Sequence, residues 1–201
     1  MPRTGRPRTF TESDVVDTTT DVFWQHGYAA TSMQRLSERA GLLPGSLHAA
    51  FGDKHSLFLR SLEHYTQGQR AFGASLQEAG PVLPRLRRMM HDIAAAAATD
   101  HRRGCMLGNT VTELSDDPTA TAIVRDAFAE LERSVARALE RAQRDGEVTL
   151  GIKPRSYATV LVALMQGLHV LARVEPNPGR LRSAVDAALA PLAASPQGRA
   201  R

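Results

Sequence analysis

Cysteine is nearly absent: the 201 residues hold one, Cys105. No intramolecular disulfide can form, and a reducing compartment is the natural setting. Tryptophan is equally rare, with Trp24 alone. Strand signals are scarce. Few stretches alternate apolar and polar residues with β-branched enrichment, and alanine and leucine dominate, which reads as nearly all helix. No apolar run reads as long enough to span a bilayer. The opening MPRTGRPRTF is basic but lacks the apolar stretch of a secretion signal. We therefore expect a soluble, cytoplasmic protein with no membrane partner. Enzyme signatures are missing too: no nucleophile–base pair, phosphate loop or metal motif emerges, so an enzyme is not expected. His91, His101 and Cys105 fit no strong ligand spacing, and a structural zinc site needs four ligands. Neither a metal nor a cofactor is expected, and no internal repeat is visible.

What is present is enough apolar residue, 42%, to bury a real core. The net charge of +4 is unevenly placed. Arg3, Arg6 and Arg8 cluster at the front, separated by Pro2, Gly5 and Pro7. Proline and glycine disfavour a helix there, leaving a flexible basic arm. Such an arm suits phosphates or a minor groove, or serves only as a solubilising tail.

The first helix is expected to begin near Thr11, with Asp14 completing a capping box, Phe10 stapling onto Val15, and Gly27 as a left-handed cap. A second runs through TSMQRLSERAG, with Thr31 and Gln34 as its capping box. Next comes AGLLPGSLHAAFGDKHSLF, from Ala40 to Phe58, where four breakers interrupt the helical pattern: Gly41, Pro44, Gly45 and Gly52. A chain that needed only a core would run a longer helix. Here a third helix, Pro44 to Phe51, is kept short, with proline at its first turn and Leu47 and Phe51 four apart for one core. Asp53 is the expected cap of a fourth helix.

A short helix, a glycine-containing turn and a second short helix form a helix-turn-helix pattern. The second must be short and held rigidly, because its N-terminal end enters the major groove. Gly45 lets a phosphate approach the backbone there, and Lys54 reaches a neighbouring phosphate. These contacts position the protein and carry no sequence information.

The stretch TSMQRLSERAGLLPGSLHAAFGDKHSLF, preceded by Gly27-Tyr28, resembles the DNA-binding region of the TetR family of one-component bacterial regulators. The resemblance is dense over residues 10 to about 65. It implies an all-α fold: an N-terminal three-helix DNA-binding domain over 1–52, with the arm, and a C-terminal helical effector-binding and dimerisation domain over 53–195. Residues 196–201 are expected to be a disordered tail. It also implies DNA contacts by Thr31, Gly45, Ser46, His48 and Lys54, joined by the arm residues Arg3, Arg6 and Arg8. Two positions depart from the family pattern: His48 stands where tyrosine is usual, and Pro44 where a basic residue is common.

In the second half, GPVLP (Gly80–Pro84) reads as a break before a helix in RLRRMMHDIAAAAATD. A short helix follows in CMLGNTVTELSDD, then a long amphipathic one from Thr119 to about Asp145. The helix near 154–173 is apolar on more than one face, and a last helix covers 179–193. Those two helices suit a four-helix dimer interface across a two-fold axis. Its expected residues are Ala163, Leu164, Gly167, Leu168, Leu171, Val185, Ala188 and Leu189. The segment Gly104-Cys105, Asn109, Glu113 is similar to one found at the edge of the effector cavity in a subset of TetR-type proteins. Expected cavity residues are Met90, Cys105, Met106, Asn109, Glu113, Met165, Gln166 and His169. Cys105 lies near a helix start beside Arg102 and Arg103, features that favour thiolate; the plainer reading is a small buried residue.

The leading reading is a homodimeric transcriptional repressor, bound to double-stranded palindromic operator DNA and released by a small-molecule inducer. The second is a thiol-based electrophile or redox switch using Cys105. A third, of another class, is a small helical ligand-binding protein without DNA function.

Overall fold

The computed structural model describes residues 11–194. Among these the chain is all-α, with nine helices: α1 (Glu12–His26), α2 (Met33–Ala40), α3 (Pro44–Phe51), α4 (Lys54–Ser75), α5 (Val82–Thr99), α6 (Met106–Glu113), α7 (Pro118–Arg144), α8 (Pro154–Val174) and α9 (Pro178–Leu189). A 3-10 turn, Ala190–Leu192, follows. Arg3, Arg6, Arg8, Phe10 and the tail 196–201 lie outside the described residues.

Local chemistry sets the helix ends. The Thr11 hydroxyl accepts the Asp14 N–H, and the Asp14 carboxylate accepts the Thr11 N–H, completing the expected box. In α2 the cap is Ser32 and not Thr31: the Ser32 hydroxyl accepts the Arg35 N–H at 3.2 Å. Thr31 turns inward, where its hydroxyl donates to the Gly27 carbonyl at 2.7 Å and closes the α1–α2 turn. Gly27 has positive φ, 77°, but its ψ of 173° is not the left-handed helical value expected. The Glu113 carboxylate occupies the space a Cβ would need there. Helix α5 starts at Val82, inside the expected break. Its first N–H groups, on Val82 and Leu83, are accepted by the Glu147 carboxylate at 2.7 and 2.6 Å. A carboxylate at a helix N-terminus satisfies orphan donors and opposes the dipole. Pro84 then sits in the first turn, where no N–H is missed.

Packing divides the apolar residues between two cores. One joins α1 to α4 with α6 and the first half of α7, around Phe23, Leu36, Leu47, Leu57, Leu62 and Leu107. The other joins α5, the second half of α7, α8 and α9, around Leu86, Met90, Leu139, Leu161, Leu168 and Val185. The packing therefore does not break at residue 52: Met106, Leu107, Ala120 and Val124 complete the core of the N-terminal helices. Helices α4 and α7 serve both cores. They cross closely at Gly73, where an added Cβ would stand 2.9 Å from the Ser134 Oγ.

The length and composition of α8 suffice to cross a membrane, which corrects the sequence expectation. One of its faces is buried in the second core. Another, formed by Val160, Ala163, Leu164, Gly167, Leu171 and Val174, stays partly or fully exposed. At 100° per residue these six positions fall within one narrow stripe.

Candidate nucleic-acid interface and effector cavity

Helix α3 is an eight-residue helix and would not persist alone in water. Leu47, fully buried, and Phe51, 4% exposed, anchor it from one side. Each such burial contributes about 2 kcal/mol. Gly41 makes the preceding turn in a left-handed conformation, φ 67° and ψ 26°, and the Leu42 N–H bonds back to the Ser37 carbonyl at 3.0 Å. The remaining face of α3 points outward: Leu43, Pro44, Gly45, Ser46, His48, Ala49 and Ala50 are exposed. No side chain caps the α3 N-terminus, where Leu43 precedes Pro44. An added Cβ at Gly45 would meet nothing within 4 Å. A small, uncapped helix start at the surface is suited to close approach by a phosphate.

Thr31 does not share that outward face, because its side chain is buried beneath the turn. Lys54 is half-buried. Its ammonium donates to the Tyr28 carbonyl at 3.0 Å and sits 4.1 Å from the Tyr28 ring centroid. An ammonium has three donors, so two remain for other acceptors.

A cavity of about 270 Å³ lies between α4, α5, α7 and α8, closed at one end by Trp24 of α1 and by Gly104-Cys105 before α6. Cys105, Met165, Gln166 and His169 line it as expected from the sequence. Met90 and Met106 do not; each is buried in a core. Asn109 faces a neighbouring groove, donating to the Arg103 carbonyl at 2.8 Å and accepting from Arg173 at 2.7 Å. Glu113 belongs to the N-terminal unit, where its carboxylate accepts the Ala29 N–H at 2.9 Å. The sequence reading missed Trp24, Tyr65, Gln69 and Phe72 as cavity residues. The last three are spaced four and three apart, so α4 presents them on one face.

Polar contacts tie this cavity to the DNA-binding helices. The Trp24 indole N–H donates to the Gly104 carbonyl at 2.8 Å. Arg103 pairs with Asp21 of α1 at 2.5 Å and with Asp100 at 2.8 Å, and its guanidinium lies 5.0 Å from the Trp24 ring. His55 meets Asp117 at 2.5 Å where α4 and α7 begin. The hydrogen bonds from Ala120 and then from His55 hold the Asp117 carboxyl below its usual range. Burial, reinforced by Cys105, pushes the Tyr65 hydroxyl far up, so it stays protonated; it lies 3.9 Å from the Cys105 Sγ. Cys105 itself is buried, 5% exposed.

Leu168, Val185 and Leu189, expected at a dimer interface, are fully buried inside the subunit. Both apolar faces of α8 have the same period, so the sequence alone does not say which one turns inward. Ala163, Leu164, Gly167 and Leu171 remain accessible on α8, and Ala188 is half-buried on α9.

Residues 15–60 match the model for bacterial regulatory proteins of the tetR family, and residues 82–188 match the tetracyclin repressor-like C-terminal domain. The chain belongs to the TetR family. It is a TetR-type transcriptional regulator whose helix-turn-helix is formed by α2 and α3. The repressor ComR of Escherichia coli (strain K12) is 31% identical over 177 residues, covering 84% of this chain and 82% of that protein. The repressor DhaR of Mycobacterium sp. (strain GP1) is 27% identical over 173 residues, covering 85% and 86%. Among solved structures, a cysteine variant of the TetR-family regulator CifR bound to 26-base-pair operator DNA superposes with a TM-score of 0.80. The two share 27% identity, over 94% of this chain and 100% of that one.

Proposed function

We propose that this TetR-family chain is a homodimeric repressor that binds a two-fold symmetric operator and leaves it when a small molecule occupies the cavity beside Trp24. The observation that carries the reading is the outward face of α3, anchored from behind by Leu47 and Phe51 alone. DNA contacts fall to Gly45, Ser46 and His48 on that face, to the free donors of Lys54, and to Arg3, Arg6 and Arg8 of the arm. Residues 1–52 carry the reading helices, α6 and the first half of α7 pack with them, and the rest of 53–195 forms the effector and dimer body. The unpartnered α8 stripe supports a dimer, because an apolar face of this kind is normally covered. Two heads about one helical turn apart then match two half-sites. An inducer releases the operator only by binding better to the conformation that does not fit DNA.

The buried, Tyr65-packed position of Cys105 supports a packing residue, so reversible binding is preferred over thiol chemistry. The test is unbiased: the purified protein is incubated with fragmented DNA from its own source, and the retained DNA is sequenced. A shared two-fold symmetric motif is the expected outcome. No enrichment at low salt, even after unfolding and refolding to strip bound ligand, overturns the reading.

A further inference from the structure

Among the described residues, two buried side-chain polar atoms have no hydrogen-bond partner: Gln69 Oε1 and His169 Nδ1. Both residues line the same cavity, from opposite helices, α4 and α8. Buried polar atoms are nearly always paired, so two orphans in one cavity mark what that cavity is built to hold. The rest of the lining is largely apolar and aromatic, with Trp24, Tyr65, Phe72, Ile93 and Leu131 prominent.

Charge narrows the ligand further. No lysine or arginine lines the cavity. Its one carboxylate, on Asp100, is already paired with Arg103. Burial, and then the Arg173 charge, hold His169 below its usual range, so the ring is neutral at neutral pH. An anion entering here would find no cation in the lining to pair with, only the distant field of Arg173, and a cation would meet that same field with no free carboxylate to offset it.

We propose that the cavity takes a small, uncharged, mainly apolar molecule bearing one hydroxyl group, held between Gln69 and His169. A hydroxyl donates one hydrogen bond and accepts others. It donates to Gln69 Oε1 and accepts from His169 Nδ1 when that nitrogen carries the proton. An ether or a ketone only accepts, and leaves Gln69 Oε1 orphaned. This inference rests on reading the cavity as the effector site.

Four probes share one skeleton: 4-tert-butylcyclohexanol, its methyl ether, tert-butylcyclohexane and 4-tert-butylcyclohexanecarboxylate. None absorbs where tryptophan emits, so the only tryptophan, Trp24, reports occupancy of the cavity by fluorescence. Affinities come from titrating the full chain. The alcohol is expected to shift Trp24 emission saturably and to bind about tenfold or more tighter than the ether or the hydrocarbon, the scale of one lost hydrogen-bonded partner. The carboxylate is expected not to saturate at neutral pH. Gln69→Leu and His169→Leu are expected to erase the preference for the alcohol while keeping the hydrocarbon; where either fails to fold, Gln69→Met or His169→Phe replaces it. A carboxylate that binds as well as the alcohol overturns the proposal, as does an alcohol no better than its ether. Parallel binding to the DNA recovered from the source genome separates the two readings. DNA binding with none of the probes saturating overturns the ligand class alone. Alcohol binding with no DNA binding overturns the regulator reading and leaves the class standing.

Discussion

The indole nitrogen of Trp24 and the carbonyl oxygen of Gly104 stand 2.8 Å apart, a direct hydrogen bond between the first helix of the DNA-binding unit and the lip of the cavity. Trp24→Phe keeps an aromatic ring but removes the donor together with the five-membered part of the indole. It is expected to cost about 1 kcal/mol of stability in a urea titration. It is also expected to shrink the ratio of DNA dissociation constants measured with and without ligand. An unchanged ratio would show that the cavity signals by another route.

Gly45 offers a clean separation of folding from DNA binding. A methyl added there meets nothing in the free protein. Gly45→Ala is therefore expected to keep or raise Tm, since alanine favours helix over glycine. Operator affinity is expected to fall about tenfold or more, because the methyl would stand where the proposed phosphate contact is made. Equal affinity for wild type and variant would remove Gly45 from the interface.

His169 predicts a pH dependence. Its folded-state pKa lies below the usual value, through burial first and Arg173 second. The unfolded chain then takes up the proton near pH ~6.5 while the folded chain does not. The stabilisation is complete above that pH and declines as pH falls through it toward the lower folded value. His169→Asn is expected to lose less Tm than wild type between about pH 7.5 and 5.5. Asp53 and Asp117 act in another window. Hydrogen bonds, from Ser56 to Asp53 and chiefly from Ala120 to Asp117, hold both carboxyls below their usual range. Their contribution is lost only below about pH 4, so the two effects separate on one curve.

The exposed α8 stripe predicts an assembly defect. Val174 is 84% exposed and Val160 50% in the single chain. Ala163→Arg places a charge in the middle of the stripe. It is expected to convert a dimer to a monomer by light scattering with the helix content unchanged, and to abolish binding to a two-half-site operator. A variant that stays dimeric would move the interface elsewhere.

How much of this was legible in the sequence depends on where each partner lies. The Thr11–Asp14 cap, the α2–α3 turn at Gly41 and the Leu47–Phe51 anchor were readable, because every partner is within a few residues. The start of α5 was not, because its cap, Glu147, comes from a distant loop. Thr31 and Ser32 both satisfy a capping pattern, and only the Gly27 carbonyl above Thr31 decides which one turns inward. The two apolar faces of α8 share a period, so Leu168 and Leu171 were indistinguishable until α5 and α7 covered one of them. Gln69 was missed because a glutamine on a helix gives no sign that its oxygen ends up in an apolar cavity.

The reach of the first core into α6 and α7 changes what a moving head would be. Leu107 and Val124 pack with Phe23 and Leu57, so on the proposed function α6 and the first half of α7 would travel with the reading helices. The joint then lies farther along, where α4 and α7 pass from one core to the other and Phe128 touches both. Tyr65, Gln69, Phe72 and Leu131 line the cavity at that crossing. On the proposed function, a molecule lodged there would work like a shim in a hinge, needing only a small displacement at the pin to swing the far end of the lever.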